Sequence, residues 1–194
     1  MSVVVEAPES VGMSGARLGR IRPAMQAYID EHGYGGMSTR VSRRGKLVHA
    51  EQVGWQDREA GVPLAEDTIF RIYSMTKPVI CTALMTLYEE GRFQLTDPVA
   101  KFIPAFATTK VMAADGQLED QAPLRPMQVR DLMTHTSGLT YDFFEDFPAG
   151  AQYRNARLMN DPTRSLEAVV AELATIPLAF PPGSRWHYSL GIDV

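Results

Sequence analysis

The chain has 194 residues, of which 45% are hydrophobic and 22% charged, a composition typical of a globular protein with a sizeable core. A formal net charge of −4, with no basic stripe, argues against a nucleic-acid partner. The sequence shows no signal-peptide pattern and no segment apolar enough to span a bilayer, and its single cysteine excludes an internal disulfide, so we expect a cytoplasmic protein without a membrane partner.

The first elements predicted along the chain are a helix and a β-hairpin. Apolar residues recur at helical spacing from Ser14, a candidate cap, to Gly33, a candidate stop, and Pro23 predicts a kink between them. Two short β runs, "MSTRVS" and "KLVHAEQVGW", then flank a turn at Gly45, which indicates an antiparallel hairpin. We therefore expect the strands to be few and concentrated near the N-terminus.

A second, strongly apolar helix is predicted to begin within "RIYSMTKPV", residues 71–79. A punctuated loop over 57–67 and the strand-like stretch "TIFRIYS" lead into it. Pro78 has no N–H to donate and is tolerated only in the first turn of a helix, so the helix must begin close to Ser74. The apolar stripe ends at Gly91, a residue type common just after the end of a helix.

Ser74 and Lys77 are candidates for nucleophilic catalysis because residues three apart share one face of a helix. A serine is a poor nucleophile unless a neighbour takes its proton, and a partly desolvated lysine can do so. A single S-x-x-K is weak evidence, since a capping serine beside a surface lysine has the same spacing. The preceding strand-like stretch, the apolar helix and Pro78 favour the catalytic interpretation.

The second half of the chain predicts mainly helices and irregular segments. A short helix in "MQVRDLMTHTSGL" ends before Gly138, an aromatic-rich irregular segment spans 139–164, and a helix capped by Ser165 follows. The four histidines show no metal-ligand spacing, so no metal site is predicted. His135 could act as a triad base, but we expect a structural role at the end of its helix.

Three stretches, "SMTK", "DLMTHTSGL" and "PPGSRWHYSLGIDV", occur in an order that resembles the serine hydrolases related to class C β-lactamases and penicillin-binding proteins. The first contains the first catalytic motif of that superfamily, and the third contains the second catalytic motif. Within that superfamily the chain is most similar to the family VIII carboxylesterases. The resemblance implies an α+β fold of the β-lactamase/penicillin-binding-protein type, an antiparallel sheet flanked by helices, seen here as an N-terminal portion lacking most of the sheet. Residues 1–73 would form the N-terminal helix and hairpin, and 74–194 the mostly helical region with both catalytic motifs. Further strands from the C-terminal half of the same enzyme would complete the fold.

The same resemblance assigns roles to individual residues. Ser74 maps to the nucleophile, Lys77 to the lysine of the first motif, and Tyr188 to the tyrosine of the second motif, which reads Tyr-Ser-Leu here. The lysine and the tyrosine would act as general base and acid on one shared proton. Leu190 stands where β-lactamases and peptidases usually have an asparagine, which counts against efficient β-lactam hydrolysis.

The function implied by the resemblance is that of a serine carboxylesterase, which hydrolyses small short-chain esters through an acyl-enzyme without a metal or organic cofactor. The alternatives are a class C-type β-lactamase, a penicillin-binding D,D-peptidase-like protein that deacylates slowly, and a catalytically silent scaffold. Tyr141, Phe144 and Leu190 are candidate substrate-binding residues, although the aromatics of 141–147 are equally explained as anchors of a loop. We expect residues 1–194 alone to be inactive and poorly behaved, because their hairpin and apolar helices need further cover.

Overall fold

Two compact units, Met1–Arg71 and Ile72–Val194, make up the chain. The structure, a computed structural model, describes residues 4–113, 115–118, 123, 125–159 and 161–194. Its helices are α1 (Gly15–Leu18), α2 (Ile21–His32), α3 (Thr76–Glu89), α4 (Val129–Met133), α5 (Pro148–Asn155) and α6 (Leu166–Leu173). Its strands are β1 (Gly36–Arg43), β2 (Lys46–Asp57) and β3 (Val62–Pro63), paired antiparallel in the order β1-β2-β3. The α+β class and the partial antiparallel sheet are therefore confirmed.

The first predicted helix is divided into α1 and α2, and its cap and stop are confirmed. The Ser14 hydroxyl accepts a hydrogen bond from the Arg17 amide, and Gly33 ends α2 with φ 70°. The predicted kink at Pro23 is wrong, because the interruption falls at Gly19, between the two helices. Pro23 is the third residue of α2, in the first turn, where its missing N–H removes no intrahelical hydrogen bond.

The hairpin of the first unit is confirmed and is closed by a two-residue turn. Arg44 and Gly45 both adopt left-handed backbone angles, with φ 53° and 73°, as the preferred hairpin turns require. The predicted loop over 57–67 contains one further short strand, β3, which pairs with the end of β2. The sequence did not indicate β3 because two residues are too few to show an alternating pattern.

Apolar residues from α5, α6 and the loops between the helices form the core of the second unit. Its fully buried members include Val111, Leu139, Tyr153, Leu173 and Leu178. Helix α5 lies within the segment predicted to be irregular, so that prediction is wrong there. Pro148 is the first residue of α5, a position for which its fixed φ is preorganised. Within the described ranges, no helix combines the length and apolar character needed to cross a membrane.

Helix α3 begins where Pro78 predicted, directly after a turn of 3-10 helix at Tyr73–Met75. Gly91, with φ 71°, follows its last turn as expected. The strand-like stretch before it is not a strand, because residues 68–72 pair with no strand of the described chain. Several apolar side chains of this region are exposed, including Ile69, Met75, Val79 and Ile80.

Candidate active site

Ser74 lies in the 3-10 turn that leads into α3. The preceding residue, Tyr73, has φ 46°, a left-handed conformation that is strained for a side chain of this size. Ser74 is exposed, and among the described residues its hydroxyl has no hydrogen-bond partner. The turn therefore presents the hydroxyl to solvent, next to the N-terminal end of α3, where backbone amides lack intrahelical partners.

Lys77 lies one turn further on, with its side chain only 9% exposed. Its ammonium nitrogen is 3.0 Å from Asp193 Oδ2 and 3.3 Å from Oδ1. The same nitrogen lies 5.6 Å from the centre of the Tyr188 ring and 5.7 Å from that of Tyr141. A carboxylate and two aromatic faces thus surround a buried cation.

The charge of Lys77 is set by these neighbours. Burial by itself would lower the pKa of the amine, but hydrogen bonds with Tyr141 and Asp193 and the Asp193 charge outweigh burial and hold the pKa above its ordinary value. Lys77 is therefore a cation in this arrangement. This differs from the desolvated, proton-accepting lysine expected from the sequence, because no residue near Lys77 in the chain indicates the contact with Asp193.

Two further rings surround Tyr188. Its ring centre is 4.7 Å from that of His135, at 48°, and 5.5 Å from that of Tyr141, at 30°. The Tyr141 hydroxyl donates to Asp193 Oδ2 at 3.3 Å. Burial raises the pKa of Tyr141, so this phenol stays protonated near neutral pH. Tyr141, selected from the sequence as a substrate-binding residue, thus also lies against Lys77.

The loop after α4 carries His135. His135 follows the end of α4 with φ 57°, consistent with the structural role expected at that helix end. Its side chain is directed to the second motif, where Nδ1 accepts a hydrogen bond from the Ser189 amide at 3.2 Å. The carbonyl of His135 accepts another from the His187 amide at 2.8 Å.

The other predicted substrate-binding residues have different surroundings. Phe144 is half-buried, and its ring centre lies 6.2 Å from that of Tyr141 and 4.8 Å from that of His187. Leu190 is 4% exposed and belongs to the core of the second unit. The structure therefore brings Lys77, Tyr188 and Tyr141 together, with Phe144 beside them.

Asp193, which the sequence did not indicate, is the carboxylate that pairs with Lys77. A 3-10 turn at Leu190–Asp193 begins at the last residue of the second motif and returns the carboxylate toward Lys77. One acidic residue soon after a tyrosine is no signal by itself. Only the folded chain shows that residues 116 positions apart form this ion pair.

Comparisons of this chain with family descriptions and with individual proteins agree on one family. Residues 21–191 match the family described as Beta-lactamase. Protein Rv1367c of Mycobacterium tuberculosis is 40% identical over 161 residues, covering 82% of this chain and 39% of that protein. Esterase EstB of Burkholderia gladioli is 38% identical over 157 residues, covering 79% of this chain and 37% of the relative.

Among solved structures, the one described as EstCE1, a hydrolase with promiscuous acyltransferase activity, matches with a TM-score of 0.76 and 34% identity. The match covers 90% of this chain and 44% of that chain. The chain thus spans less than half the length of each of these relatives. The matched residues 21–191 include Ser74, Lys77 and Tyr188, and the chain belongs to the β-lactamase family, as the resemblance predicted.

Proposed function

We propose that this chain carries the catalytic residues of a serine carboxylesterase of the family VIII type, which hydrolyses short-chain esters through an acyl-enzyme on Ser74. The observation that carries the proposal is the meeting of Lys77 with Tyr188, residues of two separate motifs, beside the turn that exposes Ser74. The esterase EstB and the hydrolase EstCE1, at 38% and 34% identity, support the esterase assignment.

In the proposed reaction, Tyr188 is the base. The Tyr188 phenolate oxygen takes the Ser74 proton as the serine oxygen attacks the ester carbonyl carbon, and the Lys77 cation beside the ring stabilises the negative charge of this base. When the tetrahedral intermediate collapses, the carbon–oxygen bond to the alcohol breaks and Tyr188 returns the proton to the leaving alkoxide. Water, deprotonated by the same phenolate, then attacks the acyl-enzyme and releases the acid, and Ser74 regains its proton.

The amide of Ser74 is proposed to donate to the developing oxyanion, since it lies at the N-terminal end of α3. Tyr141 and Phe144 are proposed to form one wall of the substrate pocket. Their rings lie beside the Lys77–Tyr188 pair, where the acyl or alcohol group of an ester would lie during attack.

The alternative is a class C-type β-lactamase or a D,D-peptidase-like protein, which would use the same acyl-enzyme chemistry. Leu190 disfavours it, because a buried leucine side chain offers no amide to hold the substrate or the lysine. We therefore expect kcat/KM for a p-nitrophenyl ester to exceed that for nitrocefin by a wide margin. Faster turnover of nitrocefin would favour the alternative.

The decisive experiment replaces the proposed nucleophile in the complete enzyme. Ser74→Ala should abolish p-nitrophenyl butyrate hydrolysis and covalent labelling by a fluorophosphonate probe. A matched control is Ser184→Ala, which removes an exposed hydroxyl that bonds only the Pro181 carbonyl among the described residues. Near-normal activity of Ser74→Ala, or a probe adduct mapped to another serine, would overturn the assignment.

A further inference from the structure

His135 holds the second motif at three points around Tyr188. Its carbonyl accepts the His187 amide at 2.8 Å, and its Nδ1 accepts the Ser189 amide at 3.2 Å. Its ring lies against the Tyr188 ring, with centres 4.7 Å apart. The tyrosine is therefore fixed through the residue before it, the residue after it and its own ring, all by one residue from another segment of the chain.

The hydrogen bond from Ser189 specifies the protonation state of His135. An amide N–H can donate only to a ring nitrogen that carries no proton, so Nδ1 is bare and the imidazole is the neutral Nε2–H tautomer. The Ser189 hydroxyl lies 3.4 Å from the same nitrogen. Ser189 is 0% exposed, so water cannot replace the imidazole as the acceptor for its amide.

We propose that His135 is a positioning residue for Tyr188 and acts only as a neutral imidazole, so that its protonation at acid pH removes the Ser189 acceptor and releases the tyrosine. The catalytic consequence rests on the proposed function, in which Tyr188 moves the proton. The positioning itself concerns only contacts within the second unit.

The charged and titratable groups around His135 favour the neutral ring. Burial lowers the pKa of His135, the Lys77 cation and His187 lower it further, and the Asp193 carboxylate opposes them in part. The neutral form is therefore present throughout neutral pH and is lost only as the pH falls below the ordinary histidine pKa of about 6.5. Tyr188 is accordingly released only at acid pH.

Two substitutions distinguish the contribution of the His135 hydrogen-bond acceptor from that of its ring. His135→Asn keeps a side-chain oxygen that can accept the Ser189 amide, tolerates a left-handed backbone and does not titrate. His135→Ala loses both the acceptor and the ring. Loss of one buried hydrogen bond predicts a fall in kcat of about tenfold for His135→Ala at neutral pH, with a smaller change in KM. For His135→Asn we expect kcat within about threefold of the parent and an acid limb displaced to lower pH.

A spectroscopic readout tests the positioning without any turnover. Nitrogen-15 NMR of labelled histidine should report a bare Nδ1 on His135, and the ring carbon signal of labelled Tyr188 should shift as His135 titrates. That Tyr188 shift should be absent in His135→Asn.

The outcomes distinguish this inference from the proposed function. An unlabelled Ser74 without ester turnover would refute the proposed function, while the NMR titration would still decide the role of His135. A proton on Nδ1, or His135→Asn as impaired as His135→Ala at an unchanged unfolding midpoint, would overturn the inference. An acid limb of the pH–rate profile that is unchanged in His135→Asn would also overturn it.

Discussion

Asp131 is the residue whose removal should destabilise the second unit most clearly. Its carboxylate is 3% exposed and accepts hydrogen bonds from Arg125 at 2.6 and 2.8 Å. It also accepts the Gln128 amide at 2.8 Å and the Thr136 hydroxyl at 3.0 Å. One side chain therefore caps α4, neutralises a guanidinium and anchors the loop that carries His135.

Replacement of Asp131 by alanine would leave four donor groups, from three residues, without their acceptor. Breaking a buried ion pair from one side typically costs about 3–5 kcal/mol. Because the Arg125 side chain is 31% exposed and can regain water, we expect a loss near the lower end, about 3 kcal/mol. Asp131→Asn, which keeps the volume and one acceptor oxygen, should lose about 2 kcal/mol.

The assay is denaturant unfolding followed by near-UV circular dichroism at several pH values. Burial would raise the pKa of Asp131, but hydrogen bonds from Arg125, Gln128 and Thr136 outweigh burial and hold the pKa below its ordinary value. The stabilisation is therefore complete above the unfolded carboxyl pKa of about 3.9 and is lost as the pH falls through the folded value. The stability gap between parent and Asp131→Ala should narrow accordingly.

Glu145→Ala is the matched control, because it removes an exposed carboxylate that has no hydrogen bond or ion pair among the described residues. Its unfolding midpoint should equal that of the parent. A loss below about 1 kcal/mol for Asp131→Ala, or a stability gap that does not change with pH, would refute the reasoning, since either result means that the network is screened by solvent.

Three further predictions concern the site. Lys77→Ala and Tyr188→Phe should each lower kcat by about 10²–10⁴ with little change in the unfolding midpoint, because in the proposed reaction Tyr188 carries the proton and Lys77 stabilises its phenolate; a variant that keeps most of its kcat would contradict these roles. Asp193→Asn should lower the pKa of Lys77, since burial is then no longer offset by the carboxylate, and the alkaline limb of the pH–rate profile should move to lower pH; an unmoved limb would exclude control by Asp193. Phe144→Ala should change the preference among p-nitrophenyl acetate, butyrate and hexanoate if the ring lines the pocket, whereas lost stability with unchanged preference would favour a purely structural role.

Local signals in the sequence predicted the parts of the fold that depend on single residues. Pro78 restricted the start of α3, and Gly45 indicated the hairpin turn. Ser165 was predicted to cap α6, and its hydroxyl accepts a hydrogen bond from the Ala168 amide. Each of these depends on the conformational preference or hydrogen-bonding capacity of one side chain close to its own backbone. Such preferences are readable without the rest of the chain.

The parts that were missed depend on distant partners. The stretch around Ile69 has strand-like composition but pairs with no described strand, since strand formation requires a neighbour. The state of Lys77 depends on Asp193, and the role of the His135 ring depends on the backbone at Ser189. Spacing within a motif specifies which residues share a face, whereas protonation depends on residues that folding brings from elsewhere.

The separation of these partners along the chain also determines when the site can form during synthesis. Lys77 and Asp193 are 116 positions apart, and His135 and Ser189 are 54 apart. Contacts between distant segments form only after both have been made and the intervening loop has closed, and they slow folding relative to local contacts. A nascent chain emerges from the ribosome N-terminus first, at about 5–20 residues per second, so α3 is exposed for several seconds before the second motif follows. Until then Ser74 lacks the groups that we propose to act on its proton, so a ribosome-bound intermediate should not react with a fluorophosphonate before Asp193 has emerged.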